Sequence, residues 1–517
     1  MINPAPAEME PLFKLKLSGF NNRRYDNHIL YARYMGYNLY QLYELSQRLI
    51  NKERSPFAMA YGISYCDIYD YSSKKQSLKK WQIELGIKHL ELGIPWDEPV
   101  PDELVDTVAE YCANDVESTE VVHKHLHADF VAREILAELS GLPVNSSSNQ
   151  HSARIIFGEE RKPHKDFVYT DLSERFPGYE FSFGKSRYRD MDPSEGGFVY
   201  AEPGMYSNVT VVDVAGMHPA SIIALNLFGD KYTPRFKELV DARLAIKHGD
   251  YSEAGKMLGG RIGKYLSDPT ESKGLSNALK IVVNSVYGLT SASFDNPFRD
   301  IRNVDNIVAK RGALFMIDLL HAVKEKGYQV VHIKTDSIKV VDMDDELRRY
   351  IFEFGESYGY TFEVEAEYEK FTLVNDAVYI ALKEGGEWEA VGAQFKHPVV
   401  YKTLFTKETL EFDDYVEVKS VKTSMWLDYG EGKMNFAGRV GAFVPVLTGG
   451  GDLVRKNDRG GFDSVVGAKG FKWKEAEEER HHAQGRYDNL DMSYFDQLCN
   501  KAIAKLAEHG DPEWMLG

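Results

Sequence analysis

The stretch YQVVHIKTDSIKVVDM, residues 328–343, decides how the chain reads. Two β-branched, apolar-alternating runs flank a short polar centre, which is the pattern of a β-hairpin. Asp336 sits at its tip, bracketed by Lys334 and Lys339. An Asp serves many turns simply by bonding nearby backbone, so the hairpin alone assigns it no chemistry. Its meaning depends on two segments upstream.

The first is VTVVDVAGMHPASII (209–223), an apolar strand ending in Asp213 and turning through Gly216 to Pro219 into a helix start. A carboxylate at the end of a buried strand is costly unless it is paired or binds a metal; an N-cap or turn Asp is the plain alternative. The second is NALKIVVNSVYGLTS (277–291). As a helix it carries Lys280, Asn284 and Tyr287 at i, i+4 and i+7 on one face, with Gly288 available for close packing or a turn. A cation, an amide and a ring on one stripe suit a phosphate tail and a base pair. A merely solvated face is the bland alternative, weakened by Asn284 and Ser285 in an otherwise apolar run.

DARLAIKHG (241–249) adds Arg243 and Lys247 one turn apart on the preceding helical pattern. Packed antiparallel, the two helices would present Arg243, Lys247 and Lys280 to a polyanion. Two acids on neighbouring strands facing such cations are what two-metal phosphoryl or nucleotidyl transfer requires. The acids hold divalent ions roughly 3.5–4 Å apart, and the cations neutralise the phosphates.

Composition bounds the partners. At 517 residues the chain suggests about three or four domains. No window approaches ~18 uninterrupted apolar residues, so no membrane span is expected. The opening MINPAPAEME lacks the basic-then-apolar order of a signal peptide. Cys66, Cys112 and Cys499 are isolated, which points to a reducing cytoplasm rather than a disulfide framework or zinc ribbon. Net charge is −17, so a nucleic-acid partner needs local basic surface. Residues 231–280 supply one, with ten lysines and arginines against six acids.

Along the chain, residues 27–140 read as mixed α/β ending in a long helical stretch from Asp102 to Leu139. SGLPVNSSSNQ (140–150) reads as a polar linker. GGFVYAEPGMYSNVTVVDVAGMHP (196–219) reads as strands with turns, 233–288 as two helical patterns, and IVAKRGALFMIDLLHAVKEKG (307–327) as a helix. Beyond about 386 the chain reads as irregular, with TGGGD and NDRGG as breakers, closing on the helix MSYFDQLCNKAIAKLAEHG (492–510).

In this order, the acid-tipped strand, Kx3NSxYG and the TDS hairpin resemble the family B DNA polymerases, and the pattern is similar to their phage-encoded members. DVAGMHPASI (213–222) is similar to the family's DxxSLYPSI, KIVVNSVYG (280–288) matches Kx3NSxYG in full, and KTDS (334–337) is similar to DTDS. The tail GRVGAFVPVL…GAKGFKW is similar to their thumb region. The resemblance implies an α+β or mixed α/β multidomain fold, a right-hand polymerase of palm, fingers and thumb preceded by a partial RNase H-like exonuclease domain. The implied boundaries are 1–140 for the exonuclease-like part and 141–186 for a linker and N-terminal palm region. The palm takes 187–230 and 287–385, the fingers 231–286, and the thumb with the C-terminal region 386–517.

It also implies roles. Asp213 and Asp336 would be metal-binding carboxylates, with the backbone carbonyl of Val214 as a further ligand for two Mg²⁺ ions, Mn²⁺ being a substitute. Arg243, Lys247, Lys280 and Asn284 would hold the incoming dNTP, helped by backbone amides at Gly216 and Met217. Lys280 would protonate departing pyrophosphate, and Tyr287 would lie against the nascent base pair of a primer-template DNA. Lys334 stands where the family has the first Asp of DTDS, and His218 where it has the Tyr that excludes ribonucleotides. Lys334 and Lys339 would both address the nucleic acid.

The N-terminal region carries a second motif pair. Asn21, Tyr25 and Asp26 in GFNNRRYDNHIL, with Tyr111 and Asp115 in EYCANDVEST, are similar to the second and third motifs of proofreading 3′–5′ exonucleases. Tyr111 and Asp115 share a helix face, which fits a Tyr orienting water beside a metal-bound acid. The first motif, an Asp-x-Glu on a strand, is absent ahead of FKLKLSGF (13–20), which reads as a strand; Glu8 and Glu10 lack strand context. A separate polypeptide, a misassigned start or a true loss would each explain this, and the expectation is little exonuclease activity from this chain alone. A non-catalytic DNA-binding subunit of a split polymerase is the alternative, and His218 leaves an RNA-synthesising enzyme open. GGRIGKY (259–265) has the wrong spacing for a phosphate-binding loop, and His481 and His482 read as surface residues.

Overall fold

The computed structural model describes residues 2–94, 100–457, 459–465, 470–478 and 487–517. His481 and His482 lie outside the described residues. The chain folds as a mixed α and β molecule around a seven-stranded antiparallel sheet.

The N-terminal part departs from the mixed α/β expectation. Strand β1 (Ser18–Gly19) pairs in parallel with β2 (Cys66–Asp67), and each is only two residues long. The rest is helical: α1 (Asp26–Tyr34), α2 (Leu39–Ile50), α3 (Leu78–Glu84), α4 (Val105–His125) and α5 (His127–Ser140). FKLKLSGF alternates as a strand should, but a strand persists only where neighbours pair with it. Leu17 and Ser18 find just the Tyr65–Cys66 backbone. The expected linker at 140–150 is also shorter than its composition suggests. Gly141 ends α5 at φ 70°, and Ser147 already caps α6 (Ser148–Phe157). Buried Arg133 clamps the join, donating to the carbonyls of Asp70 (2.8 Å) and Ser146 and to Ser148 Oγ (3.0 Å).

After a small hairpin of β3 (Glu180–Ser182) and β4 (Lys185–Arg187), the central sheet begins with β5 (Val199–Ala201) and β6 (Gly204–Val214). Four longer helices follow, α7 (Met217–Ala224), α8 (Gly229–Lys247), α9 (Pro269–Thr290) and α10 (Ile307–Glu325), with a single-turn helix (Tyr251–Ala254) between α8 and α9. The Asp336 hairpin then forms as expected from β7 (Val330–Lys334) and β8 (Ser337–Val341). Helix α11 (Asp345–Ser357) leads to β9 (Phe362–Asn375), β10 (Val378–Lys383) and β11 (Trp388–Val391). The strand order is β11-β10-β9-β6-β8-β7-β5, so β8 lies beside β6 although more than a hundred residues separate them in sequence.

Alternation along the strands sorts the sheet into two faces. Val212, Val214, Ile333, Ile338 and Val340 join the large core under α7 to α11, in which Ile307–Leu320 is buried at every position. Most of these positions are apolar, which places the helix inside, and its buried Lys310, Arg311 and Asp318 find polar partners there. Val209, Val211, Val331, Tyr368, Phe371 and Tyr379 form a separate cluster on the opposite face. Helix α9 runs across the expected 286/287 boundary, and Gly288 lies within it facing open space, so neither a turn nor a close approach uses that glycine.

The region beyond 386 is regular, contrary to the sequence reading. A second sheet of order β15-β14-β12-β13-β16 comprises β12 (Glu417–Asp428), β13 (Met434–Pro445), β14 (Asp452–Lys456), β15 (Phe462–Ser464) and β16 (Phe471–Trp473). The Gly-rich breakers are its turns. Helix α12 (Met492–Ala507) closes the chain near the expected position.

Candidate active site

Asp213 is the last but one residue of β6 and faces Ser337 on β8 and Glu363 on β9. Asp336 occupies the tight turn before Ser337. The Val214 N–H donates to the Asp336 carbonyl at 3.0 Å, so the hairpin tip is pinned to the end of β6 beside Asp213. Thr335 takes φ 58°, unusual for a β-branched residue. Its N–H donates to the Phe198 carbonyl (2.9 Å), and the Asp336 N–H donates to the Lys334 carbonyl (2.7 Å). The surroundings hold this turn in a conformation it would rarely visit alone.

Both carboxyls are half-buried and, among the described residues, neither has a cation within ion-pair distance. Burial, then the charges of Asp336 and Glu365, push the Asp213 carboxyl up to about 7. Burial and Glu365 raise Asp336 likewise. Two acids so placed favour either a proton or a bound cation.

They open into a cavity of about 460 Å³ lined by Gly216, Met217, His218, Arg243, Lys247, Asn284, Tyr287 and Glu363, among others. Gly216 begins α7 at φ 70°, the left-handed conformation glycine adopts without a Cβ penalty. Helices α8 and α9 pack together and supply the facing wall. Arg243 is partly buried without a carboxylate partner among the described residues, whereas Lys247 is already committed to Glu363 at 2.6 Å. Asn284 is exposed and its side chain makes no hydrogen bond among the described residues. Lys280, one turn earlier on α9, is exposed and equally unpaired. Tyr287 stacks on His218, with ring centroids 3.8 Å apart and planes 9° apart.

No protein-family model and no curated protein matches the chain. Among solved structures it is similar to the family B DNA polymerase from the hyperthermophilic archaeon Pyrobaculum calidifontis, at 16% identity and a TM-score of 0.43, over 97% of this chain and 72% of that one.

The fold thus gathers Asp213, Val214, Gly216, Met217, His218, Arg243, Lys247, Asn284, Tyr287 and Asp336 at one place, with Lys280 nearby. Lys339 departs from expectation: it is 4% exposed within the sheet and cannot meet a nucleic acid, while Lys334 is exposed. Glu363 and Glu365 were overlooked. The alternation FEVEAEYEK (362–370), an acid at every second residue, was the available signal.

The exonuclease-like residues fall into two separate groups. Asp26 lies beside Asp67, and burial raises it to about 6. Asp67 accepts the N–H groups of Asn21 (2.8 Å) and Arg23 (3.0 Å), and Tyr25 bonds Ser46 (2.7 Å). Asp115 instead accepts from Lys79 (3.0 Å) and Gln82 (3.2 Å), and the same lysine lies 4.0 Å over the Tyr111 ring. No hydrogen bond, ion pair or cavity joins the two groups among the described residues.

Proposed function

We propose that this chain is a DNA-directed DNA polymerase that adds dNTPs to a primer 3′ end on a template by nucleotidyl transfer. The observation that carries the reading is the Asp213–Asp336 pair, free of ion pairs among the described residues, at the mouth of a cavity whose far wall bears Arg243 and Asn284, whose side chains have no partner among those residues. In this reading the seven-stranded sheet is the palm, α8 and α9 the fingers, and the second sheet with α12 the thumb. The part before Ser140 is exonuclease-like in this reading. A phage replication role accords with the motif resemblance.

The donor set fits divalent cations: two carboxylates, raised by burial and like charge, with no cation within ion-pair distance among the described residues. Asp213 and Asp336 would hold Mg²⁺, with the Val214 carbonyl adjoining, and the metal would supply charge neutralisation at the reacting phosphate. Arg243 and Lys280 draw the triphosphate against α8 and α9 by charge-assisted hydrogen bonds. The backbone of Gly216 and Met217 faces it from the start of α7. Tyr287, supported by His218, offers a flat surface to the base pair. Lys280, exposed on α9 one turn before Asn284, would give its proton to pyrophosphate as it departs.

Primer extension by the purified chain, run beside Asp336→Asn, tests this. Extension by the native protein and loss of at least about a thousandfold in the variant are expected, as for removal of a metal-holding group. DNA binding without extension by either would turn the reading to a non-catalytic subunit of a split polymerase.

A further inference from the structure

Lys339 is a buried lysine with no carboxylate within ion-pair distance among the described residues. In the sheet it faces Val211 on β6 and His332 on β7, while Ser337, two residues earlier, faces Asp213. Lys339 therefore shares a sheet face with Asp213, one pleat behind it. Its ammonium lies 5.5 Å from the Tyr379 ring. Burial lowers the affinity of its amine for a proton, against the charges of Glu365 on β9, Glu389 on β11 and Asp213 on β6, with Lys334 adding to the lowering.

None of its other neighbours completes a tight pair. The Glu389 carboxylate is bonded by the hydroxyls of Tyr379 (2.6 Å) and Tyr368 (3.2 Å). His332, 1% exposed, bonds the Asp376 carbonyl at 3.2 Å, and burial holds its imidazole neutral at about 4. A buried ammonium is expensive unless the field around it is negative, and here acids on three strands provide that field without seizing the side chain.

We infer that Lys339 is the built-in counter-charge of the Asp213–Asp336 pair, a positioning residue behind the carboxylates that restrains their grip on divalent cations. The inference rests on the metal-binding reading of that pair. Three acids, Asp213, Asp336 and Glu363, line one end of the cavity and a fourth, Glu365, adds its charge; among the described residues only Glu363 is offset by an ion pair, to Lys247. Without an internal cation this end would bind metal too firmly for exchange and would repel a polyanionic substrate. Lys334, exposed at the hairpin end, cannot act in this way because solvent screens it.

The test is Mn²⁺ binding by the metal-free chain, followed by electron paramagnetic resonance without DNA or nucleotide at about pH 8. Lys339→Met conserves volume while removing charge, and should tighten Mn²⁺ on the order of tenfold. Lys339→Arg should stay within about twofold of the native protein. A packing role alone predicts looser binding in both variants, and unchanged or looser binding in Lys339→Met would overturn the inference. Thermal melting checks the fold, and Lys339→Gln repeats the charge removal with a polar side chain; failure of both neutral variants to fold would also overturn it. Native Mn²⁺ binding and primer extension report separately on the parent reading, since the variant-to-native ratio alone reports on Lys339.

Discussion

At the residue scale, Asp213 makes the site responsive to pH. Its carboxyl, ordinarily near 3.8, is raised to about 7, chiefly by burial and next by Asp336. The charged form is disfavoured in the fold, so stability is lost as pH climbs from about 4 through 7. A divalent cation must displace that proton below 7 but meets free carboxylate above it. Mn²⁺ should therefore raise the melting temperature more at about pH 8 than at about pH 6, levelling off beyond; equal shifts at both would contradict a metal bound at Asp213. Lys280 gives a second prediction. Being exposed and unpaired, it costs little to remove from the apo fold. Lys280→Ala should raise the dNTP KM by about tenfold or more, the loss of one charge-assisted hydrogen bond, with primer-template affinity unchanged.

At the element scale, β6, the hairpin tip and the start of α7 meet at Gly216, whose φ of 70° no β-branched residue adopts without strain. Gly216→Val should lower stability by about 1–2 kcal/mol and impair nucleotide binding, whereas Gly216→Asn, tolerant of that conformation, should retain most of both. Chemical denaturation and dNTP titration would separate them, and equal behaviour of the two variants would show that the backbone conformation is immaterial. The elements that form the candidate site were also the most legible. Helix α9 and the β7–β8 hairpin appear at their expected places because each has an unambiguous period, 3.6 or 2, over its full length.

At the scale of the whole molecule, α9 links the candidate site to the N-terminal part. A Cβ on Gly274, three turns before the site residues, would come within 2.5 Å of Val131 Cγ1 on α5. Gly274→Val should force the two helices apart, costing about 1–3 kcal/mol, and should weaken dNTP binding although residue 274 touches no part of the cavity. Thermal melting and the dNTP KM measured together would check this; a loss of stability with an unchanged KM would show that α9 holds its register without α5.

The sequence by itself determined the local chemistry: an acid ending an apolar strand, an acid on a hairpin tip, and a cation, amide and ring on one helical face. These are short-range patterns, and side-chain periodicity is enough to express them. Tertiary structure alone decided which acids meet, because β8 reaches β6 only across the intervening helices. It reduced FKLKLSGF to a two-residue strand for want of partners and made a sheet of the Gly-rich tail, whose turns resembled breaks. It also reversed the reading of Lys339. In sequence that residue is a charge beside an acid, as Lys334 is, and only strand pairing places one in solvent and the other behind the carboxylates. Burial depends on contacts between distant segments, and no local pattern encodes it.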